Sequence, residues 1–181
     1  MTSPTEMLEE EHHFIAKVVG TTSILADRLE AEQAVNVDIL RDIVEFMRTF
    51  ADKCHHGKEE DLLFPVLAEK GVPMQGCPIG ALTAEHVKGR ALVKDLAEAT
   101  DAFEKDTCAR EALVKNLRGI AELYPNHIWK EDYLLFPLTN KVLNPEEQQR
   151  LYQEFEAVEE RIGKDTHHRL ALLAEQLEQR I

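Results

Sequence analysis

The sequence predicts an all-α chain, an antiparallel up-down-up-down four-helix bundle with an additional C-terminal helix. Apolar residues recur at helical spacing through almost the whole chain, and no segment alternates with period two over a useful length. Four long helical segments joined by short connections are typical of an antiparallel bundle. We expect the bundle over residues 1–144 and a helical extension packed on it over residues 145–181.

The first two bundle helices follow from their apolar stripes and end signals. The first is predicted over about residues 6–30, with Thr5 as its N-cap. The second is predicted over about residues 36–70. Pro65 lies inside it and is expected to kink or break it, because proline lacks a backbone donor and its ring clashes one turn back.

A loop rich in Gly and Pro separates the two helix pairs. Residues 71–80, GVPMQGCPIG, contain three Gly and two Pro and cannot continue a helix. The third and fourth helices are predicted over about 81–105 and 108–143. Asn144, followed by a proline, then caps a fifth helical region that Gly163 interrupts.

Charge and composition exclude several classes of partner. The 181 residues include 34 acidic and 21 basic side chains, for a net charge of −13. Nucleic-acid binding is not expected, because phosphate contacts need an excess of Lys and Arg, and binding to anionic membranes is disfavoured for the same reason. No stretch is long and apolar enough for a membrane span, and the acidic N-terminus is unlike a signal peptide. We therefore expect a cytoplasmic protein.

The cysteines indicate neither a disulfide framework nor a zinc knuckle. They are three, an odd number, and lie far apart at Cys54, Cys77 and Cys108. We expect all three to be reduced packing residues.

One eleven-residue pattern occurs twice. Residues 55–65 read HHGKEEDLLFP and residues 127–137 read HIWKEDYLLFP, with seven identities. A Glu-His pair, ending at His12 or His86, precedes each copy on the preceding helix. The pattern indicates a duplicated helix pair, in which helix one resembles helix three and helix two resembles helix four.

The repeated pattern predicts a metal site in the bundle interior. His and Glu four residues apart lie on one helix face, and here that face is the apolar one. Burying these groups is costly unless they are paired or bind a metal. Their chemistry suits iron, manganese or zinc, and six ligands exceed what one tetrahedral zinc needs. The candidate ligands are His12, His55, Glu59, His86, His127 and Glu131.

These residues resemble the motif of the hemerythrin-like, or HHE cation-binding, domain. The order His, His-x3-Glu, His, His-x3-Glu is similar to that family's, as are both Leu-Phe-Pro sequences and the GCPIG segment at 76–80. The resemblance covers about residues 5–143. It implies a non-haem centre of two iron ions with an oxo or hydroxo bridge, held by the six candidate ligands.

The chain departs from the oxygen-carrying members of that family at one ligand. Those members have a fifth histidine one turn from the one on helix three, where this chain has Leu82 and Arg90 around His86. If Glu59 and Glu131 both bridge, each iron keeps an open position. We expect this to favour redox chemistry, peroxide handling or NO binding over oxygen carriage, unless a Tyr, water or carboxylate fills the position.

Several neighbours of the candidate ligands carry separate expectations. His13 and His56 are rotated by about 100° from the adjacent ligands on an α-helix, so we expect them outside the ligand set. Tyr124 is expected to pack in the core, with a hydrogen bond to the iron bridge as the alternative. His167 and His168 are expected on the surface, with a lid over the site as the alternative.

Four further residues lie close to the candidate ligands within the two copies of the repeat. Glu60 and Asp132 are expected to be solvated or to hydrogen-bond the ligands. Trp129 and Tyr133 are expected to contribute to packing.

The function expected from this resemblance is binding or reduction of a small ligand, O2, NO or peroxide, in sensing, scavenging or stress response. A protein redox partner would fit that role. Two alternatives stay open. One is iron donation to iron–sulfur centres, by resemblance to repair proteins that carry a further cysteine-bearing domain not seen here. The other is a di-iron oxidase with an organic substrate, which requires a pocket beside the irons.

Overall fold

The structure, a computed structural model, describes residues 3–106 and 109–181, and all regular structure in these ranges is helical. The elements are α1 (Pro4–Glu30), α2 (Val37–Phe46), the π-helical segments π1 (Met47–His56) and π2 (Glu59–Leu63), α3 (Phe64–Glu69), α4 (Ile79–Lys105), α5 (Arg110–Lys130), the π-helical segment π3 (Glu131–Leu135), α6 (Phe136–Val142), α7 (Pro145–Ile162), α8 (Lys164–Leu177) and a 3₁₀ turn (Glu178–Arg180).

These elements form the predicted antiparallel four-helix bundle. The first bundle helix is α1 and the third is α4, while α2 to α3 and α5 to α6 each run on as one long helix through their π-helical segments. Helix α5 packs against both α1 and α4, and α2 packs against α4. No helix of the described residues is long and apolar enough to cross a membrane.

At Pro65 the second bundle helix departs locally from α-helical geometry but continues as a helix. A π-helical segment ends just before Pro65, and another ends just before Pro137 in the second copy of the repeat. The wider π-helical turn bonds residues five apart, so it leaves space where the proline ring would meet the carbonyl one turn back. Each long helix therefore continues past its proline.

The bundle core is divided into two hydrophobic clusters with a polar layer between them. A larger cluster includes Ile15 and Phe50, and a smaller one includes Leu8 and Leu63. On α1, His12 lies between Leu8 and Ile15 in sequence. The other three bundle helices have the same order, with Ala51, His55 and Leu63 on the second, Val93, His86 and Leu82 on the third, and Tyr124, His127 and Leu135 on the fourth.

The C-terminal region forms a hairpin of two helices, which we call the C-terminal hairpin (α7 and α8, residues 145–177). Asn144 caps α7, and Gly163 has the positive φ of 101° that lets the chain turn between α7 and α8. Helix α8 packs on α1 and α2, and α7 packs on α1, π1 and π2. Leu170 joins the larger hydrophobic cluster and Phe155 the smaller one, so the hairpin is built into the core.

Two local expectations need correction. The N-cap of α1 is Ser3, because its hydroxyl accepts from the Glu6 backbone N–H at 3.1 Å and the Glu6 carboxylate accepts from the Ser3 N–H at 2.6 Å. Thr5 lies inside the helix. Among the cysteines, Cys54 is buried as expected, but Cys77 is exposed, and Cys108 lies outside the described residues.

Candidate metal centre

The six candidate ligands meet in the polar layer. Each bundle helix contributes at least one of them, and none is more than 4% exposed. Two end groups can be distinguished. His12 and His55 form one end, with their Nε2 atoms 3.0 Å apart, and His86 and His127 form the other, with ring centroids 4.8 Å apart. The positions named from the repeat therefore lie together in space.

The two buried glutamates each reach both ends of the layer. Glu59 places Oε1 3.7 Å from His55 Nε2 and Oε2 3.4 Å from His86 Nε2. Glu131 places Oε2 3.1 Å from His12 Nε2 and Oε1 3.2 Å from His127 Nε2. Each carboxylate thus directs one oxygen toward each end, an arrangement suited to two bridging ligands.

Each of the four candidate ligand histidines has a carboxylate at its Nδ1 atom. In each contact the histidine Nδ1 donates to a carboxylate oxygen. The pairs are His12 to Asp132 at 2.7 Å, His55 to Glu11 at 2.9 Å, His86 to Glu60 at 2.6 Å and His127 to Glu85 at 3.1 Å. A carboxylate can only accept, so it holds the proton on Nδ1 and leaves the Nε2 lone pair directed inward. Glu60 and Asp132 are therefore hydrogen-bonded to the ligands, one of the two alternatives predicted for them.

The inward-facing atoms lack hydrogen-bond partners. If both rings are neutral with the proton on Nδ1, the Nε2 atoms of His12 and His55, 3.0 Å apart, face each other as two lone pairs. Seven other buried atoms have no hydrogen-bond partner in the described part of the chain: His56 Nε2, His86 Nε2, His127 Nε2 and both carboxylate oxygens of Glu59 and of Glu131. Unpaired buried acceptors are costly, and cations would satisfy them all. The donor set therefore fits a metal centre.

Without a cation the layer distributes its protons unevenly. Burial, together with the nearby Glu131 charge, raises the pKa of Glu59 well above its ordinary value. Burial opposes ionisation of Glu131, but the closeness of His127, His12 and His86 holds the pKa of Glu131 well below its usual range. Burial lowers the pKa of His55 to about 4. Only added positive charge lets both carboxylates ionise beside neutral histidines.

A fifth histidine, His56, faces the same layer, contrary to the sequence prediction. It is 2% exposed, and its ring stacks on His86 with centroids 3.9 Å apart. His56, His86 and His127 bring one nitrogen each within 4.8 Å of one another, and His12, His55, Glu59 and Glu131 form a second such group. The layer therefore offers three histidines at one end and two at the other.

The π-helical backbone accounts for the position of His56. It is the last residue of π1, directly after the candidate ligand His55. A π-helix rotates each residue by about 80° rather than 100°, since its bonds join residues five apart. Two adjacent side chains are therefore closer to one face in a π-helix than in an α-helix. The signal in the sequence is the histidine doublet, whose second member an α-helix would turn away from the layer.

The remaining flanking residues divide between core and surface. Tyr124 is buried as predicted, and burial raises the pKa of its phenol far above the ordinary value, so it stays neutral. His13 is exposed, also as predicted. Trp129 and Tyr133 do not pack in the core, since they are 50% and 66% exposed and stack on each other.

A small cavity of about 170 Å³ adjoins the three-histidine end. Its lining includes Asp52, His56, Gly89, Arg90 and Tyr124. Arg90 donates to Asp52 at 2.7 Å, so these two charged groups of the lining are paired with each other. The cavity is comparable to one that holds a benzene molecule. It therefore has space for a small molecule beside the layer.

Comparison with known proteins connects this geometry to a family. A family model described as the hemerythrin HHE cation binding domain matches residues 3–139. Uncharacterized proteins of Mycobacterium bovis and of two strains of Mycobacterium tuberculosis are 25% identical over 162 residues, which is 89% of this chain and 62% of theirs. The chain thus spans less than two thirds of the length of these curated relatives. No solved structure gives a significant match.

Proposed function

Because the chain belongs to the hemerythrin HHE cation-binding family, we propose that its polar layer holds a di-iron centre that binds or reduces a small ligand, O2, NO or peroxide. The proposed ligands are the six named from the repeat, together with His56. The observation that carries the proposal is the bridging arrangement of Glu59 and Glu131, since each directs its two oxygens to opposite ends of the layer.

The two ends of the proposed centre differ in the number of protein ligands. When bound, two irons would supply a coordination position for a small ligand and, at one electron from each ion, two electrons for its reduction. With His56 counted, one end has three histidines and two carboxylate oxygens, and the His12–His55 end has two of each. We infer that a small ligand binds at the His12–His55 end. The sequence argument against oxygen carriage assumed an open position on each iron, with His56 facing away from the layer. Since His56 faces the layer, that argument no longer applies.

The surroundings of the layer favour small ligands over the two alternatives. The adjoining cavity lies at the three-histidine end, which has more protein ligands, and its volume of about 170 Å³ would hold an oxidase substrate no larger than about benzene. Iron donation requires that the ion leave the protein. Here every proposed ligand is buried, and hydrophobic clusters lie on both sides of the layer, so retention is favoured.

The first test is metal content with an absorption spectrum. We expect two irons per chain in the wild type, with charge-transfer bands that change when azide is added. Glu59→Ala and Glu131→Ala should each lose at least one iron, because a bridging carboxylate serves both ends. His13→Ala is the matched control, since His13 is exposed beside a ligand and should keep two irons. Two irons retained in both glutamate variants would contradict the proposal.

A further inference from the structure

A second buried polar cluster adjoins the His12–His55 end. Glu11 is its centre and is 3% exposed. Its carboxylate accepts from His55 Nδ1 at 2.9 Å, from Lys58 Nζ at 2.6 Å and from His167 Nε2 at 3.1 Å. With Cys54 Sγ at 3.8 Å as a fourth donor, these hydrogen bonds fix both carboxylate oxygens, and one of the donors is a proposed iron ligand.

The ammonium group of Lys58 is fully buried. It donates to Glu11 and also to Glu159 at 3.1 Å, and it lies 5.8 Å from the ring centroid of Phe155. A buried ammonium is stable only where carboxylates compensate its charge. Glu159 therefore completes the charge balance of the Glu11–Lys58 pair.

Three members of this cluster come from the C-terminal hairpin. Glu159 and Phe155 lie on α7 and His167 lies on α8, where its ring stacks on Phe50 with centroids 4.8 Å apart. His167 was expected at the surface, but only 22% of its side chain is exposed. The hairpin thus reaches a ligand histidine through one intervening carboxylate.

The sequence repeat supplies an internal comparison. In the other half, Glu85 accepts from His127 at 3.1 Å and from Lys130, as Glu11 does from His55 and Lys58. There the Glu85 and Lys130 side chains are 22% and 20% exposed, so water can reach both groups. The described residues of the hairpin make no hydrogen bond or ion pair to this second triad. Contact with the C-terminal hairpin is therefore a difference between the two otherwise matching ends of the polar layer.

We propose that the C-terminal hairpin is part of the metal centre, with Glu159 and His167 as positioning residues that hold Glu11 and Lys58 and thereby set the metal affinity of the His12–His55 end. The inference rests on the proposed two-metal site. A carboxylate that orients a ligand histidine typically contributes ten- to a hundredfold to metal affinity. Because Glu159 and His167 act one contact further away, we expect an effect of about tenfold.

The test is a titration of the metal-free 181-residue chain with Co(II), followed by visible absorption. In the variant His12→Ala, the binding step of the His12–His55 end should disappear from the titration. This variant therefore identifies which step belongs to that end. In the double variant Glu159→Gln, His167→Leu, the His12–His55 step should weaken about tenfold while the other step stays unchanged. His167→Gln keeps an N–H donor and should bind as the wild type does. Glu160→Gln and His168→Leu are matched controls, because both positions are exposed neighbours.

Each other outcome contradicts the inference. No change in the double variant would show that the hairpin does not act on the site. Equal weakening of both steps would indicate general destabilisation, which thermal melting of the metal-free variants measures separately. A wild-type chain that binds fewer than two Co(II) ions contradicts the proposed two-metal site itself, and this inference fails with it.

Discussion

At the residue scale, the orientation of each ligand depends on a carboxylate next to it. The acceptors at Nδ1 lie one residue before a histidine, as Glu11 and Glu85 do, or one residue after a buried glutamate, as Glu60 and Asp132 do. The repeat therefore specifies the ligands together with the groups that orient them. His56 differs, since its Nδ1 lies 3.4 Å from Asp52, a longer and weaker contact.

The role of His56 gives a prediction at this scale. His56→Ala should weaken binding at the three-histidine end by at least about tenfold, because a ligand is lost and not only a neighbour of a ligand. Metal content after dialysis measures the effect, and the spectrum should change with it. His13→Ala should keep the wild-type stoichiometry. Full metal content and an unchanged spectrum in His56→Ala would reduce His56 to a packing residue.

The orienting carboxylates give a second prediction. Asp132→Asn should weaken metal binding about ten- to a hundredfold, because an amide accepts more weakly and no longer fixes His12 in the same tautomer. Equilibrium titration with Co(II) measures the change. Asp61→Asn is a suitable control, since Asp61 is exposed on the second bundle helix. Equal affinities for the two variants would contradict an orienting role.

At the element scale, π-helical segments place the site and accommodate the two prolines. They end at His56 and directly before each Phe-Pro pair, so ligands and prolines use the same departures from α-helical geometry.

Close contact between two bundle helices also shapes the surroundings of the site. Helix α4 approaches α5 at Gly89, where a Cβ atom would lie 3.0 Å from the Tyr124 hydroxyl oxygen.

Two glycine substitutions separate helix propensity from packing. Gly20→Ala should raise the free energy of unfolding by about 0.5–1 kcal/mol, because nothing lies within 4 Å of the added Cβ and alanine favours the helix. Gly89→Ala should lower it by about 1–3 kcal/mol, since Tyr124 is buried against His56 and His127 and cannot move freely. Urea denaturation measures both. Stabilisation by Gly89→Ala would show that Tyr124 can yield.

At the scale of the whole molecule, the metal and the hydrophobic core act together. The polar layer separates two hydrophobic clusters, and without cations its carboxylates must take up protons or leave acceptors unpaired. The clusters do not depend on the metal for their burial. We therefore expect a metal-free protein that remains helical but is less stable.

Metal removal tests this expectation. Chelation should lower the melting temperature measured by circular dichroism while the helical signal at low temperature persists. Restoring the metal at a hundred times its dissociation constant should add about 2.7 kcal/mol per site. In the double variant Glu59→Gln, Glu131→Gln, the difference in melting temperature between the metal-bound and metal-free forms should largely disappear. An equal melting temperature with and without metal in the wild type would show that the layer binds no ion.

The bundle, its helix positions and the six clustered site residues could be predicted from the sequence because they depend on local periodicity and on an internal repeat. Leu8, His12 and Ile15 share one face of α1 in any α-helix, and the two copies of the motif identify matching positions. Three features needed the tertiary structure. Pro65 is accommodated and His56 faces inward because the backbone widens into π-helical turns, and Glu159 reaches Lys58 because the hairpin docks on the bundle. Backbone widening and docking result from packing between distant segments, which local spacing does not encode.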